Sequence, residues 1–363
     1  MPAIISADSH VAEVEACFEQ IDPKFRDQRP RAAEDADIGA FMAIPNLDIK
    51  VPMGALCRAG TPPEKWNIPI GWSELHPAGY ETKPRLGIQD EEGVRAEVIY
   101  PSVGMVLCLH PDPDYKKATF DAYNRWLAEF CEPAPERLIG MPLVPLRTIE
   151  EGIQEVEQLK QAGFRGVMLP GNPVVEDYDH ACYDPFWQAC IAHQMPVHFH
   201  ILTTKGDMMG EPRGPRIINQ INTIRGNQNI VMMLVFGGVF ERHPELRVVM
   251  VENDAGWVPH FCFRMDHAWE RHRWWMDAGS IQRPPSEYFH ENVYVTFQDD
   301  YSVKHVIDAV NMERVMWATD FPHGDGTYPN SRKIIEKVTI GMSDTQKRMI
   351  THDNVAQLYG LGV

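Results

Sequence analysis

Four short stretches of this 363-residue chain carry side chains able to hold a cation or move a proton. The first is Asp8-Ser9-His10. On an extended backbone, residues i and i+2 point the same way, so this carboxylate and this imidazole can address one point. The second is the pair His198 and His200, again on one face. The third is Glu252-Asn253-Asp254, and the fourth is Asp320 with His323 three residues on. Carboxylate and imidazole donors suit zinc, manganese or iron. A bound ion of that kind polarises a substrate oxygen or activates a water, and a nearby imidazole moves protons near neutral pH. Taken singly, each residue has an ordinary explanation. A histidine in an apolar run is usually a satisfied core residue, and an aspartate after a strand usually caps a helix. Together they need a fold that gathers four distant chain segments.

Eight short apolar runs can supply it: Ile4–Ala7, Ala96–Tyr100, Leu138–Leu146, Gly166–Leu169, Val197–Ile201, Arg247–Glu252, Val293–Phe297 and Val315–Thr319. They lack clean alternation, as strands covered on both faces do. Between them lie segments of helical composition: Tyr115–Cys131, Ile149–Ala162, Pro185–His193, Pro259–Trp275 and Asp344–Leu358. Asp184-Pro185 reads as an N-cap with proline at the first helical position, and Ala162-Gly163 as a helix stop. Strands alternating with helical crossovers predict a parallel sheet, and eight of them predict an α/β (β/α)8 TIM barrel. In that fold the active site lies at the C-terminal strand ends, where all four chemical stretches fall. One domain over 1–363 is expected. Residues 19–85, rich in Pro and Gly and without a convincing strand, read as a long insertion after the first strand, covering the barrel mouth or an interface. Met53, Trp66 and Trp72 are its candidate lid residues.

Composition narrows the function classes. With 51 acidic and 34 basic residues the formal net charge is -17, which argues against nucleic acid and anionic membranes as partners. No basic leader precedes an apolar run at the N-terminus, and no stretch has the length and apolarity of a membrane span. Seven dispersed cysteines without a Cys-x-x-Cys pair read as reduced thiols, so a cytoplasmic protein is expected.

Several stretches carry a family likeness. They are ADSHV (7–11), ERLIGMPLVPL (136–146), GFRGVMLPGN (163–172) and YDPFWQACIAHQMPVHFH (183–200). GGVFERHPELRVVMVENDAGWVPHFCFRMDH (237–267), VMWATDFPHGDGTYPNS (315–331) and DNVAQLYGL (353–361) continue the series. In this order and spacing the chain resembles the amidohydrolase superfamily, in the branch that includes aminocarboxymuconate-semialdehyde decarboxylase and the resorcylate decarboxylases. The resemblance implies a divalent metal (Zn, Mn or Fe) held by Asp8, His10, His200 and Asp320. His198 is the rival of His200. Position 12 is Ala12, so the His-x-His pair of the wider superfamily is absent. The decarboxylases carry a histidine where this chain has Glu252, so Glu252 becomes a candidate base or a ligand for a second metal ion.

The expected activity is hydrolysis or decarboxylation of a small organic acid or related metabolite, breaking a C–N, C–O or C–C bond next to a carbonyl or carboxylate. Asp320, His323, Glu252 and His198 are its candidate catalytic residues. Two alternatives use the same scaffold. A di-iron or mixed-metal oxygenase would draw on Glu252, Asp254, His260 and His323, although His260 reads better as a solvent-facing helix residue. A non-catalytic metal-binding subunit of a hetero-oligomer is the other. A homo-oligomer is the expected assembly.

Overall fold

A computed structural model describes residues 3–206 and 214–362. Among the described residues, eight parallel strands form two sheets. The first holds β1 (Ile4–Val11), β4 (Val94–Pro101) and β5 (Leu138–Gly140), in that spatial order. The second holds β6 (Val167–Met168), β7 (Val197–His200), β8 (Val248–Val251), β9 (Val293–Phe297) and β10 (Val315–Trp317), each beside the next. Every one of these strands is buried along nearly its whole length, which is why none alternates in the sequence.

The two sheets are linked through backbone at both ends. Val144 donates to the Met168 carbonyl at 3.0 Å, and Met168 donates to that of Pro142 at 2.9 Å. On the other side Asp320 donates to Asp8 at 3.0 Å and His10 to Phe321 at 2.6 Å. The third run is a shorter strand than its apolar stretch suggests. Pro142 and Pro145 lack the N–H a ladder needs, so regular pairing stops at Gly140.

The helices fall close to expectation. Pro113–Cys131, Ile149–Gln161, Asp184–Ala192 and Val258–His272 cover four of the predicted segments. The fifth is continuous from Asp344 to Tyr359 but contains a π-helical turn at Met349–Asp353. Asp184 is not an N-cap. Its carboxylate instead meets His243 at 2.9 Å and Arg242 at 3.0 Å.

Residues 19–85 differ from expectation, because they do contain strands. Arg31–Asp35 (β2) and Gly39–Ala43 (β3) form an antiparallel hairpin. The first strand is largely exposed and has no β-branched residue, so it carries no strand signal. Gly39 makes the turn possible. Its φ is +77°, and a Cβ there would lie 2.4 Å from the Ile70 carbonyl oxygen. Further along, the N–H groups of Arg58 and Ala59 donate to Pro322, which ties this region to the chain just after Asp320.

Candidate metal centre

β1 places Asp8 and His10 on one face, both fully buried. Its pairing with β4 shifts register between Ser6 and Ser9, the kind of irregularity that re-aims side chains beside active sites. β7 contributes His200 as its last residue. Glu252 follows β8, and Asp320 follows β10 with two residues between. Glu252, Asp254 and Asp320 all sit at φ near +55°, in the left-handed region that non-glycine residues seldom occupy. Such strain gathers at functional sites. Here it turns the chain at the strand ends so that the carboxylates converge.

The distances describe a cluster. Nε2 of His10 is 3.4 Å from an oxygen of Asp8 and 3.4 Å from one of Asp320. Nε2 of His200 is 3.8 Å from Asp8 and 3.7 Å from Glu252. Two overlapping sets of four bring their donor atoms within 4.8 Å of one another: Asp8, His10, His200 and Glu252, and His10, Glu252, Asp320 and His323.

The donors fit a cation. All four carboxylate oxygens of Asp8 and Asp320 are buried without a hydrogen bond, a costly state for ionised groups. Nδ1 of His10 lies 2.9 Å from the Pro101 carbonyl, and Nδ1 of His200 lies 3.1 Å from that of Ile201. A carbonyl only accepts, so both Nδ1 atoms carry hydrogen and both Nε2 atoms present lone pairs. Those Nε2 atoms are only 3.2 Å apart. Two lone pairs facing at that distance repel, and a shared cation removes the conflict.

Electrostatics agree. Burial pushes His10 down to about 4, with the charge of His323 acting the same way, so its imidazole is neutral and ready to ligate. Burial alone would raise Asp8, but the neighbouring His10 and His200 outweigh it and hold the carboxyl below its usual range. Glu252 is pushed well above its usual value by burial, then by Asp320 and Asp8. Its side chain keeps 22% of its surface exposed, so it faces the opening rather than the core. Asp254 is pushed up to about 7 by burial and by Asp300, Asp299 and Asp325. The mouth is therefore crowded with carboxylates.

His323 stands over the cluster. Its ring stacks on His10 with centroids 4.0 Å apart. Nδ1 lies 2.9 Å from an Asp320 oxygen, a close ion-pair distance at an angle poor for a hydrogen bond. Burial would lower its pKa, yet Asp320 above all, with Asp8 and Glu13, raises it.

His198 is held away from these groups. Its Nδ1 meets the Val167 carbonyl and its Nε2 the Tyr359 hydroxyl, each at 2.9 Å. With both nitrogens engaged and no route to solvent, it does not join the cluster, because it lies one layer deeper than His200. His260 is exposed on its helix. Trp317 is core, and Trp257 packs on the loop it follows through a hydrogen bond to the Asn253 carbonyl. Trp72 is bonded to the Ala33 carbonyl, and Trp66 lies against Gly324.

Three residues escaped the sequence reading. Arg85, wholly buried, pairs with Glu97 at 2.6 Å and donates to the carbonyls of His10, Ala78 and Phe321. Ser102 bonds His323 Nε2 at 3.0 Å, and Glu13 accepts the N–H groups of residues 102–104. Ser102 follows β4 directly, so applying the strand-end rule to the second run would have found it.

Comparison with known proteins shows the family. An amidohydrolase family model matches residues 112–361, well over half of the chain and including His200, Glu252, Asp320 and His323. The gamma-resorcylate decarboxylase of Polaromonas sp. JS666 is 25% identical over 282 residues, covering 73% of this chain and 82% of that protein. The 2-amino-3-carboxymuconate-6-semialdehyde decarboxylase of Dictyostelium discoideum is 23% identical over 244 residues, 66% of this chain and 65% of that one. Among solved structures, an amidohydrolase from Mycobacterium avium subsp. paratuberculosis superposes with a TM-score of 0.81 at 21% identity, covering 99% of this chain and 98% of that one. A Polaromonas dihydroxybenzoic acid decarboxylase, with bound manganese and the inhibitor 2-nitroresorcinol, gives 0.69 at 20% identity, over 100% and 98% of the two chains. With a family model spanning most of the described strands and four of the clustered residues, the chain belongs to the amidohydrolase family.

Proposed function

We propose that this chain is a metal-dependent decarboxylase of a small aromatic or related organic acid. The observation that carries the reading is the set of unpartnered, fully buried carboxylates of Asp8 and Asp320 facing the bare Nε2 atoms of His10 and His200. The decarboxylases among the relatives support the reaction type. Asp8, His10, His200 and Asp320 would hold one divalent cation, with manganese, zinc and iron as candidates. A bound cation supplies Lewis acidity and orients the substrate's carboxylate and neighbouring oxygen. His323, which Asp320 favours in its protonated form, delivers a proton to the carbon that carries the carboxylate from the ring nitrogen beside Asp320, and is left neutral. The C–C bond then breaks, carbon dioxide leaves, and the electron pair of that bond restores the ring. Asp320 keeps the imidazole aimed and takes part in returning its proton.

Hydrolysis is the second reading, and Glu252 favours it. A carboxylate raised well above its usual range, partly exposed at the opening, is a fitting base for a water. His198, engaged on both nitrogens, supports neither reaction directly. The discriminating assay uses metal-loaded protein with 2,6-dihydroxybenzoate, 5-carboxyvanillate and related acids, followed by carbon dioxide release. Turnover of esters, lactones or amides with no acid decarboxylated would replace the first reading by the second. Two metal ions per chain with substrate-dependent oxygen uptake would replace both by an oxygenase. Metal bound without turnover until a partner chain is added would revive the non-catalytic subunit.

The wider reading is one domain over 1–363 with the eight parallel strands closed as a barrel. The backbone bonds joining Asp8 to Asp320 and Pro142 to Met168 support it. The hydrogen bonds from Arg58 and Ala59 to Pro322 support residues 19–85 as a cover on the mouth. A small-molecule substrate and a cytoplasmic location fit this chemistry, and among the described residues no helix is long and apolar enough to cross a membrane. The exposed Phe263, Trp274, Trp275 and Met276 support a homo-oligomer. A monomeric mass by light scattering would remove that assignment.

A further inference from the structure

We infer that Ser102 and Glu13 are positioning residues that fix the orientation of His323 over the metal cluster. The inference rests on the proposed function for what His323 does, but not for how it is held.

Ser102 Oγ is 3.0 Å from His323 Nε2, and the other ring nitrogen is 2.9 Å from Asp320 Oδ1. Serine, histidine and aspartate thus stand in the order of a hydrolase triad, where the serine would attack a carbonyl. Two observations rule that role out here. Ser102 is 1% exposed, so no substrate carbonyl reaches its oxygen. The neighbouring backbone donors are also taken. The N–H groups of Ser102, Val103 and Gly104 donate to the Glu13 carboxylate at 3.0, 2.8 and 2.8 Å. In an acyl-transfer enzyme such donors hold the oxyanion, but here they hold a resident carboxylate.

Orientation is what remains. The Ser102 hydroxyl can both donate and accept, so it partners Nε2 whichever way that hydrogen runs, and the contact fixes one ring orientation. Stacking on His10 at 4.0 Å and 25° fixes the plane. Glu13 acts one step back. It is fully buried, and by gathering three successive N–H groups it sets the backbone from which Ser102 reaches.

The test uses zinc-loaded protein labelled with nitrogen-15 at histidine, read by long-range proton–nitrogen correlation. In the wild-type protein His323 should show one set of ring-nitrogen signals. In Ser102→Ala those signals should shift and broaden, while those of His10 and His200 and the zinc content stay unchanged. Ser102→Thr, which keeps the hydroxyl, should restore the wild-type pattern. Glu13→Gln should shift the same signals in the direction of Ser102→Ala. On a turned-over substrate, Ser102→Ala should lower kcat roughly 10- to 100-fold with KM within about two-fold. Unchanged His323 signals in Ser102→Ala would overturn the inference, as would loss of zinc, which would make Ser102 a support of the ligands instead. Wild-type protein that binds no zinc would count against the proposed function, and the same signals in the metal-free protein would still decide the positioning role.

Discussion

In the proposed function, Asp320 is the residue on which ligation and acid–base chemistry meet. Its two oxygens are buried and unpartnered, one within 3.4 Å of His10 and 2.9 Å of His323. Asp320→Ala should therefore lose metal and lower kcat by roughly a thousand-fold or more, with an unchanged far-UV spectrum. Full activity or full metal content in that variant would refute the ligand assignment. His198 gives the opposite expectation. His198→Asn should keep its metal, because the imidazole is spent on Val167 and Tyr359. The same residue should make the fold sensitive to acid. Burial pushes it down to about 4, whereas an unfolded histidine titrates near 6.5. Between those values the unfolded chain binds the extra proton, so stability is lost as pH falls from about 6.5 to 4, by up to about 1.4 kcal/mol per pH unit. Denaturant melts across that range should show a shallower pH slope in His198→Asn. An identical slope would place the acid sensitivity elsewhere.

At the level of elements, much of the site was legible because strand ends mark themselves. Asp8, His10, His200, Glu252 and Asp320 each terminate or follow an apolar run, and the fold places those ends together. What stayed hidden has a physical reason. β2 is largely exposed, with charges only toward its ends and no branched residues, so nothing in RAAED reads as a strand. Arg85 looks like an ordinary charged helix residue, and only its depth reveals its work. Its guanidinium joins the carbonyls of His10 and Phe321, one on the first strand and one beside Asp320, while Glu97 balances its charge. The preference for His200 over His198 rests on the depth of each along β7. Arg85→Met would leave Glu97 buried and short of its cation. A loss of about 3–5 kcal/mol in unfolding free energy is expected, together with weaker metal binding. Restoring stability by Glu97→Gln in the same background would confirm the uncompensated charge as the cause. A loss below about 1 kcal/mol would show that Arg85 ties nothing essential.

For the whole molecule, the metal should be a term in stability. Two overlapping sets, together three carboxylates and three imidazoles, each bring their donor atoms within 4.8 Å of one another. Without a cation the carboxylates repel one another. Chelation should therefore lower the melting temperature, and readdition should restore it, with about 2.7 kcal/mol gained when free metal is at a hundred times its Kd. Identical melting curves with and without chelator would mean that the cluster does not bind a cation with useful affinity. The left-handed backbone at Glu252, Asp254 and Asp320 adds to the same tension. Glycine would occupy those positions with less strain, and it would also remove charge from a crowded mouth. The sequence best suited to folding is thus not the sequence suited to turnover. If variants of this chain are selected for heat resistance in the presence of chelator, with no demand for activity, positions 252 and 320 should be among the first to drift away from carboxylates. The working residues would be recognisable by their disappearance.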